Sequence, residues 1–145
     1  MKKFLSLALV MVLFAFTLTS CLGANDPVGN ATLVIATEEM QVYDLPLSKL
    51  SEGKGLMPAF EYLKESEGLE YDVSGTMINS VGGLENNYET QTYIYIYTSV
   101  EADFDVSEYK SEIEYEGKTL VSAGVGFSDM IITDGAVIYI GTVQW

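Results

Sequence analysis

Three tyrosines at alternate positions are the residues of this sequence best suited to holding a ligand. Tyr93, Tyr95 and Tyr97 alternate with Ile94 and Ile96. Successive side chains of a strand point to opposite faces, so the pattern predicts a tyrosine face and an isoleucine face. An aromatic platform with hydroxyl groups suits a flat small molecule or a sugar. The alternative is that these tyrosines simply favour a strand and pack against its surroundings.

An acidic stretch after this strand carries oxygen ligands at the spacing of a calcium loop. Asp103, Asp105, Ser107 and Glu114 fall at positions 1, 3, 5 and 12 of such a loop. Position 6, which is glycine in that motif, is Glu108. A solvated acidic loop is therefore the preferred interpretation, and no metal site is predicted.

The residue types that are missing exclude several kinds of catalytic site. The chain of 145 residues has no histidine, no arginine and one cysteine. These absences exclude a Ser-His-Asp triad, a histidine- or thiolate-based zinc site and a bidentate arginine clamp. An enzyme that uses paired carboxylates remains possible, and it ranks third after a ligand-binding domain and a protein-interaction module. The sequence predicts a protein that is not an enzyme and that needs no cofactor.

The charge balance argues against nucleic acid as a partner. The formal net charge is −14, and it becomes −16 if Lys2 and Lys3 are removed. Nucleic-acid phosphates are neutralised by Lys and Arg, which this chain largely lacks. For the same reason the chain is not expected to adhere electrostatically to anionic lipid headgroups.

The N-terminus has the features of an export signal that ends at a cysteine. Lys2 and Lys3 precede an apolar run over residues 4–18, as in the charged and apolar regions of a signal peptide. The tetrad Leu18-Thr19-Ser20-Cys21 resembles the lipobox of bacterial lipoproteins. That resemblance implies cleavage before Cys21 and lipidation of its sulfur.

Two alternatives are an ordinary cleaved secretory signal and an uncleaved anchor helix. The apolar run is short for a spanning helix, and a single exported thiol needs an explanation that lipidation supplies. We therefore predict a signal peptide at residues 1–20, a short tether at 21–30 and one domain at 31–145. The protein would be exported and lipid-anchored through Cys21 to the outer face of the bacterial cell membrane.

The sequence of the domain predicts one helix and many strands. The β-branched run at 31–37 and the alternating run at 41–45 predict a hairpin, which Pro46 ends. Apolar spacing predicts a helix that begins close to Pro58 and ends at Gly68. Further strands are predicted at residues 69–73, 76–81, 92–98, 112–115, 118–121, 123–132 and 136–140. This order predicts an α+β fold, a β-grasp-like mixed sheet with one main helix packed on one face.

From Phe60 to Ile140 the chain resembles the DUF4430 domain, also described as the transcobalamin-like C-terminal domain, of bacterial surface proteins. The landmarks that carry the resemblance follow one another in order: Tyr62-Leu63, Met77-Ile78-Asn79-Ser80-Val81, Tyr93 to Tyr97, Val125-Gly126-Phe127-Ser128-Asp129, and Asp134-Gly135 with Val137-Ile138.

The resemblance by itself implies no activity, and we predict a non-catalytic, ligand-binding domain. The candidate ligands are a small molecule, with a corrinoid as one example, or a cell-surface polymer, and the candidate binding residues are Tyr93, Tyr95 and Tyr97. The alternative is a structural or protein-interaction module at the cell surface, which would recruit a partner protein through an exposed strand edge.

Overall fold

The computed structural model describes residues 27–145. The predicted signal peptide, Cys21 and most of the predicted tether lie outside the described residues. The elements are β1 (Asn30–Ile35), β2 (Gln41–Pro46), α1 (Met57–Glu67), β3 (Tyr71–Ser74), β4 (Met77–Val81), β5 (Leu84–Glu85), β6 (Thr92–Thr98), β7 (Glu112–Tyr115), β8 (Lys118–Ser122) and β9 (Val137–Gln144). Between residues 27 and 145, no helix has the length and apolar character to cross a membrane.

The strands form a six-stranded mixed sheet and a three-stranded sheet. The larger sheet has the order β2-β1-β9-β6-β8-β7, and the smaller one has the order β3-β4-β5. Strands β1 and β9 run parallel in the middle of the larger sheet, while its other pairs are antiparallel. A hairpin whose first strand pairs in parallel with the last strand is the β-grasp arrangement. The predicted α+β class, with one main helix, is confirmed.

Helix α1 covers one face of the larger sheet because both surfaces are apolar. Its side chains Phe60 and Leu63 are fully buried, and they share a core with Leu33 of β1 and Ile138 and Ile140 of β9. Burying a large apolar side chain contributes about 1.5–3 kcal/mol relative to leaving it exposed. This shared core holds the helix against the parallel centre of the sheet.

The ends of α1 follow from its sequence. Pro58 lies in the first turn, where a missing N–H costs no helical hydrogen bond. Gly68 ends the helix in a left-handed conformation with φ of 72°, and its N–H donates to the Leu63 carbonyl. The prediction of a helix from about Pro58 to Gly68 is therefore confirmed.

The opposite face of the larger sheet has a smaller core of its own. Val34, Tyr97, Leu120 and Val137 are buried there, with Tyr139 partly buried against them. The β7–β8 hairpin contributes to this core. Its predicted tight turn is present, with positive φ at Glu116 and Gly117 as a two-residue turn of type I′ requires.

The predicted strand at residues 123–132 is wrong. This part of the chain forms no regular strand: the Ala123 N–H bonds to Ile96 of β6, and the other backbone bonds run to loops and to Leu56, just before α1. The carbonyl of Phe127 accepts the Leu56 N–H at 2.8 Å, while the Phe127 and Met130 side chains are buried. The apolar residues of this segment fill the core. Their high frequency resembles that of a buried strand, and this explains the wrong prediction. The last strand, by contrast, runs further than predicted, to Gln144.

Candidate functional site

The structure divides the three tyrosines between two environments. Tyr97 is 7% exposed and packs edge-on against Tyr95 and Tyr139, with ring centroids 5.5 and 6.2 Å apart. Tyr93 packs instead against Tyr88 at 5.8 Å. The rings lie on the face opposite α1, as the alternation predicts. Since Tyr97 is committed to packing, Tyr93 and Tyr95 are the two predicted residues with surface to offer a ligand.

A pocket of about 340 Å³ opens beside the same strand, next to the isoleucine face. Its apolar lining includes Ile94 and Ile96 of β6 and Met77 of β4. Val125 also lines it and belongs to residues 123–132, which we call the irregular segment. Trp145 borders the pocket and is 69% exposed. We call this cavity the edge pocket. Tyr93 and Tyr95 border it from the strand, which places two of the three predicted residues at its rim.

The edge pocket exists because β6 is only partly paired on that side. Strand β6 pairs with β9 along its whole length, but it pairs with β8 only at Tyr97 and Thr98. Earlier along β6, the even-numbered residues direct their backbone groups away from β9. Neither the Ile94 carbonyl nor the Ile96 N–H has a hydrogen-bond partner among residues 27–145. An apolar cavity with one free acceptor and one free donor is a typical small-ligand site.

Asn86 forms one wall of this opening and joins the two sheets. Its Oδ1 accepts the Ile94 N–H at 2.7 Å, and its Nδ2 donates to the Ile78 carbonyl at 2.9 Å. On the other side, the Ala123 N–H donates to the Ile96 carbonyl at 2.8 Å. Together the two contacts close off both ends of the free strand edge.

Sequence reasoning missed the residues that complete the edge pocket. Met77, Asn86, Val125 and Trp145 come from four separate parts of the chain. No local spacing connects them, because the pocket arises from where β8 stops pairing with β6. The nearest signal is the resemblance itself, whose landmarks include Met77 and Val125.

Among residues 27–145, no carboxylate or lysine side chain lines the edge pocket. Its lining contains Thr76, Asn86, aliphatic and aromatic side chains, and Tyr93 and Tyr95 are its titratable residues. The resolved pKa shifts fall elsewhere. Burial, followed by the charge of Glu67, raises the pKa of Tyr43. This chemistry suits binding by apolar contact and hydrogen bonds.

A wider groove of about 820 Å³ lies between the loop at residues 47–55 and the irregular segment. Its lining mixes Leu50, Met130 and Ile132 with polar and charged groups such as Glu52 and Lys54. Strand β6, with its unpaired carbonyl and N–H, borders the edge pocket but not this groove. We therefore place the candidate site at the edge pocket, although its volume is smaller.

The acidic stretch does not assemble into a metal site. Asp103 is 2% exposed, and its carboxylate accepts the Ile131 N–H at 2.7 Å. The Asp105 carboxylate accepts the N–H of Ser107 at 2.8 Å, which lowers the pKa of this carboxyl. Glu114 accepts the Thr119 hydroxyl. Between residues 27 and 145, no three acidic side chains come together in a way that could hold a metal ion.

Comparison with known proteins gives weak similarity at the level of structure. No family model and no curated protein matches the chain. Among solved structures, the chain is similar to the crystal structure of a "putative metal binding protein" from Ruminococcus gnavus ATCC 29149. The TM-score is 0.49 and the identity 11%, with 81% of this chain and 98% of that chain covered.

Proposed function

We propose that this chain is a lipid-anchored, non-catalytic binding protein on the outer face of a bacterial cell membrane. The N-terminal pattern that ends at Cys21 supports the anchor. The order of landmarks from Phe60 to Ile140 supports a DUF4430-like domain. The site would be the edge pocket, with Tyr95 and Tyr93 at its rim.

The observation that carries the binding function is the edge pocket itself. It is an apolar cavity of about 340 Å³ that retains an unpaired carbonyl at Ile94 and an unpaired N–H at Ile96. Apolar surface rewards burial of a ligand, while a few polar groups orient it. Because no Asp, Glu or Lys of the described part of the chain lines the pocket, the arrangement supports binding without catalysis.

The dimensions favour a compact ligand. The volume lies near the lower end of the range of about 300–1,000 Å³ for small-molecule pockets. A corrinoid is far bulkier than this space, so it would have only one edge inserted. The chain also has no histidine to coordinate its cobalt. A small molecule or one unit of a surface polymer fits the edge pocket better.

The test of this function is to purify the full chain from bacterial membranes in detergent and to analyse what accompanies it. We expect a bound compound, detected by mass spectrometry, that is lost when Met77 is replaced by Gln in the pocket wall. The matched control is Val42→Gln, since Val42 is 54% exposed and Met77 56% exposed. Equal retention by both variants would contradict a site at the edge pocket.

The anchor is tested separately with Cys21→Ser. We expect wild-type chain in the membrane fraction and the variant in the soluble fraction or retained with its signal peptide. The mass of the wild-type N-terminus should show added acyl groups. A wild-type protein without acyl groups would refute the lipid anchor while leaving the pocket unaffected.

The alternative function, a protein-interaction module, is favoured by one feature of the outer strand β2. Within residues 27–145 this strand pairs only with β1, and Val42 is 54% exposed on it, two residues after Met40 at 52%. An edge strand with exposed apolar side chains can pair with a strand of a partner protein. Loss of a co-purified protein in Val42→Gln, with no effect of Met77→Gln, would support this alternative.

A further inference from the structure

We infer that the edge pocket binds the hydrogen-bonding edge of a flat, uncharged heterocycle, such as a nucleobase or its nucleoside. The ring donates a hydrogen bond to the Ile94 carbonyl and accepts one from the Ile96 N–H, and it lies between Asn86 and Ala123. This inference rests on the proposed function, because it names the ligand class for the same cavity.

Two neighbouring backbone groups on the edge of β6 set the polar requirement of the ligand. The Ile94 carbonyl and the Ile96 N–H lack a partner among residues 27–145, and both point away from β9. A ligand that satisfies both must present one donor beside one acceptor. The amide and amidine edges of heterocycles do this from adjacent positions: in adenine an amino group lies beside a ring nitrogen, and in uracil a ring N–H lies beside a carbonyl.

The occupied groups on either side limit the ligand to one compact unit. The Asn86 Oδ1 accepts the Ile94 N–H at 2.7 Å, and the Ala123 N–H donates to the Ile96 carbonyl at 2.8 Å. The free edge between these contacts spans two residues of strand, about 7 Å at a rise of about 3.4 Å per residue. A single ring that enters edge-on has a comparable width, whereas a chain that continued along the strand would collide with Asn86 or Ala123.

The side chains around the free groups suit the two faces of such a ring. Ile94 and Ile96 point to one face of β6 and Tyr95 points to the other, so a ring at the strand edge has apolar surface on both sides. Trp145 and Tyr93 also border the edge pocket, and Trp145 is 69% exposed. Aromatic side chains at the opening of a pocket stack on flat heterocycles, whichever base is bound.

The charge of the protein selects the neutral heterocycle over its phosphate esters. The whole chain carries 21 acidic residues against 7 lysines, and among residues 27–145 no lysine lines the edge pocket. A phosphate group at the opening would find no positive partner in the lining, and the field of an acidic protein would repel it. The expected ligand is therefore a free base or a nucleoside and not a nucleotide.

The test titrates ¹⁵N-labelled full chain in detergent micelles with adenosine and with uridine. We expect both nucleosides to bind and to move the Ile96 amide resonance downfield as its N–H gains an acceptor. Purine riboside differs from adenosine only by lacking the amino group that donates to the Ile94 carbonyl. It should bind about fivefold more weakly, the loss expected for one hydrogen bond. Uridine methylated at its ring N–H should lose binding, because the methyl group removes the donor and fills its place.

Two matched pairs sharpen the result. Adenosine monophosphate should bind several-fold more weakly than adenosine, and the difference should shrink as salt is raised. Trp145→Ala should weaken adenosine binding about tenfold, the loss expected for one stacked aromatic side chain. Tyr109→Ala is the control, since Tyr109 is 74% exposed and lies outside the lining of the edge pocket, and it should leave binding unchanged.

Four results would overturn the inference. They are the absence of binding by both nucleosides, binding that leaves the Ile96 resonance in place, purine riboside that binds as tightly as adenosine, and equal binding by the Trp145→Ala and Tyr109→Ala variants. If a co-purified compound without a donor–acceptor edge is lost in Met77→Gln while the nucleosides do not bind, the proposed function stands and the heterocycle inference falls. If neither a native compound nor a nucleoside binds at the edge pocket, both fail.

Discussion

Replacing Asn86, which forms one wall of the edge pocket, should lower the free energy of unfolding of the domain. The side chain bridges β6 and β4, with Oδ1 accepting from Ile94 and Nδ2 donating to Ile78. Asn86→Ala removes both hydrogen bonds and leaves a partly buried N–H and carbonyl without partners. Each bond contributes about 1 kcal/mol, so the free energy of unfolding should fall by about 2 kcal/mol. Urea denaturation of the full chain in detergent measures this change.

Hydrogen exchange adds a local measurement of the same change. The Ile94 N–H should exchange at least tenfold faster in Asn86→Ala, because its acceptor is gone. The matched control is Asn79→Ala, whose amide makes an exposed bond to Asp72 at 2.8 Å and should contribute about 0.5 kcal/mol or less. If both variants lose the same free energy, or if Ile94 stays protected, then Asn86 does not join the two sheets as argued.

Three further predictions concern the surroundings of the site. Asp103→Ala should cost about 2–3 kcal/mol in urea unfolding because a buried charge-assisted acceptor is lost, while Asp105→Ala, which loses a local bond from the Ser107 N–H, should cost far less. Gly55→Ala should destabilise by more than Gly75→Ala: both have positive φ, but only at Gly55 would a Cβ meet backbone atoms, the nearest at a spacing that no real contact allows. Stability should fall as pH rises past about 10, because the raised pKa of Tyr43 favours its neutral form in the folded state, and Tyr43→Phe should reduce that fall.

Each of these three predictions would be contradicted by a specific result. Equal losses for the two aspartate variants would mean that the buried carboxylate holds no backbone in place. Equal losses for the two glycine variants would mean that φ alone sets the cost. An unchanged pH profile in Tyr43→Phe would assign the alkaline transition to other groups, of which Tyr115, with its pKa also raised by burial, is the first candidate.

Local signals in the sequence were enough for much of the fold. Strand β6 has the predicted bounds, Thr92–Thr98, because alternation of tyrosine and isoleucine is a property of neighbouring residues. The helix stops at Gly68 because a left-handed terminal residue is a local requirement. At residues 123–132 the apolar side chains follow no clear period, and the prediction of a strand there was wrong. Apolar side chains of this segment are buried in the core, but its backbone is irregular.

The sequence by itself determined the residue chemistry of this protein: an acidic chain without histidine or arginine, an N-terminal pattern that ends at Cys21, and a strand with tyrosines on one face. The tertiary structure decided where a ligand could bind. Strand β8 stops pairing with β6 at Tyr97, and Asn86 and Ala123 occupy the neighbouring backbone groups. The free carbonyl of Ile94 and N–H of Ile96 follow from those long-range pairings. Hydrogen-bonding capacity at a strand edge depends on which strands lie beside it, and no local pattern of residues specifies that.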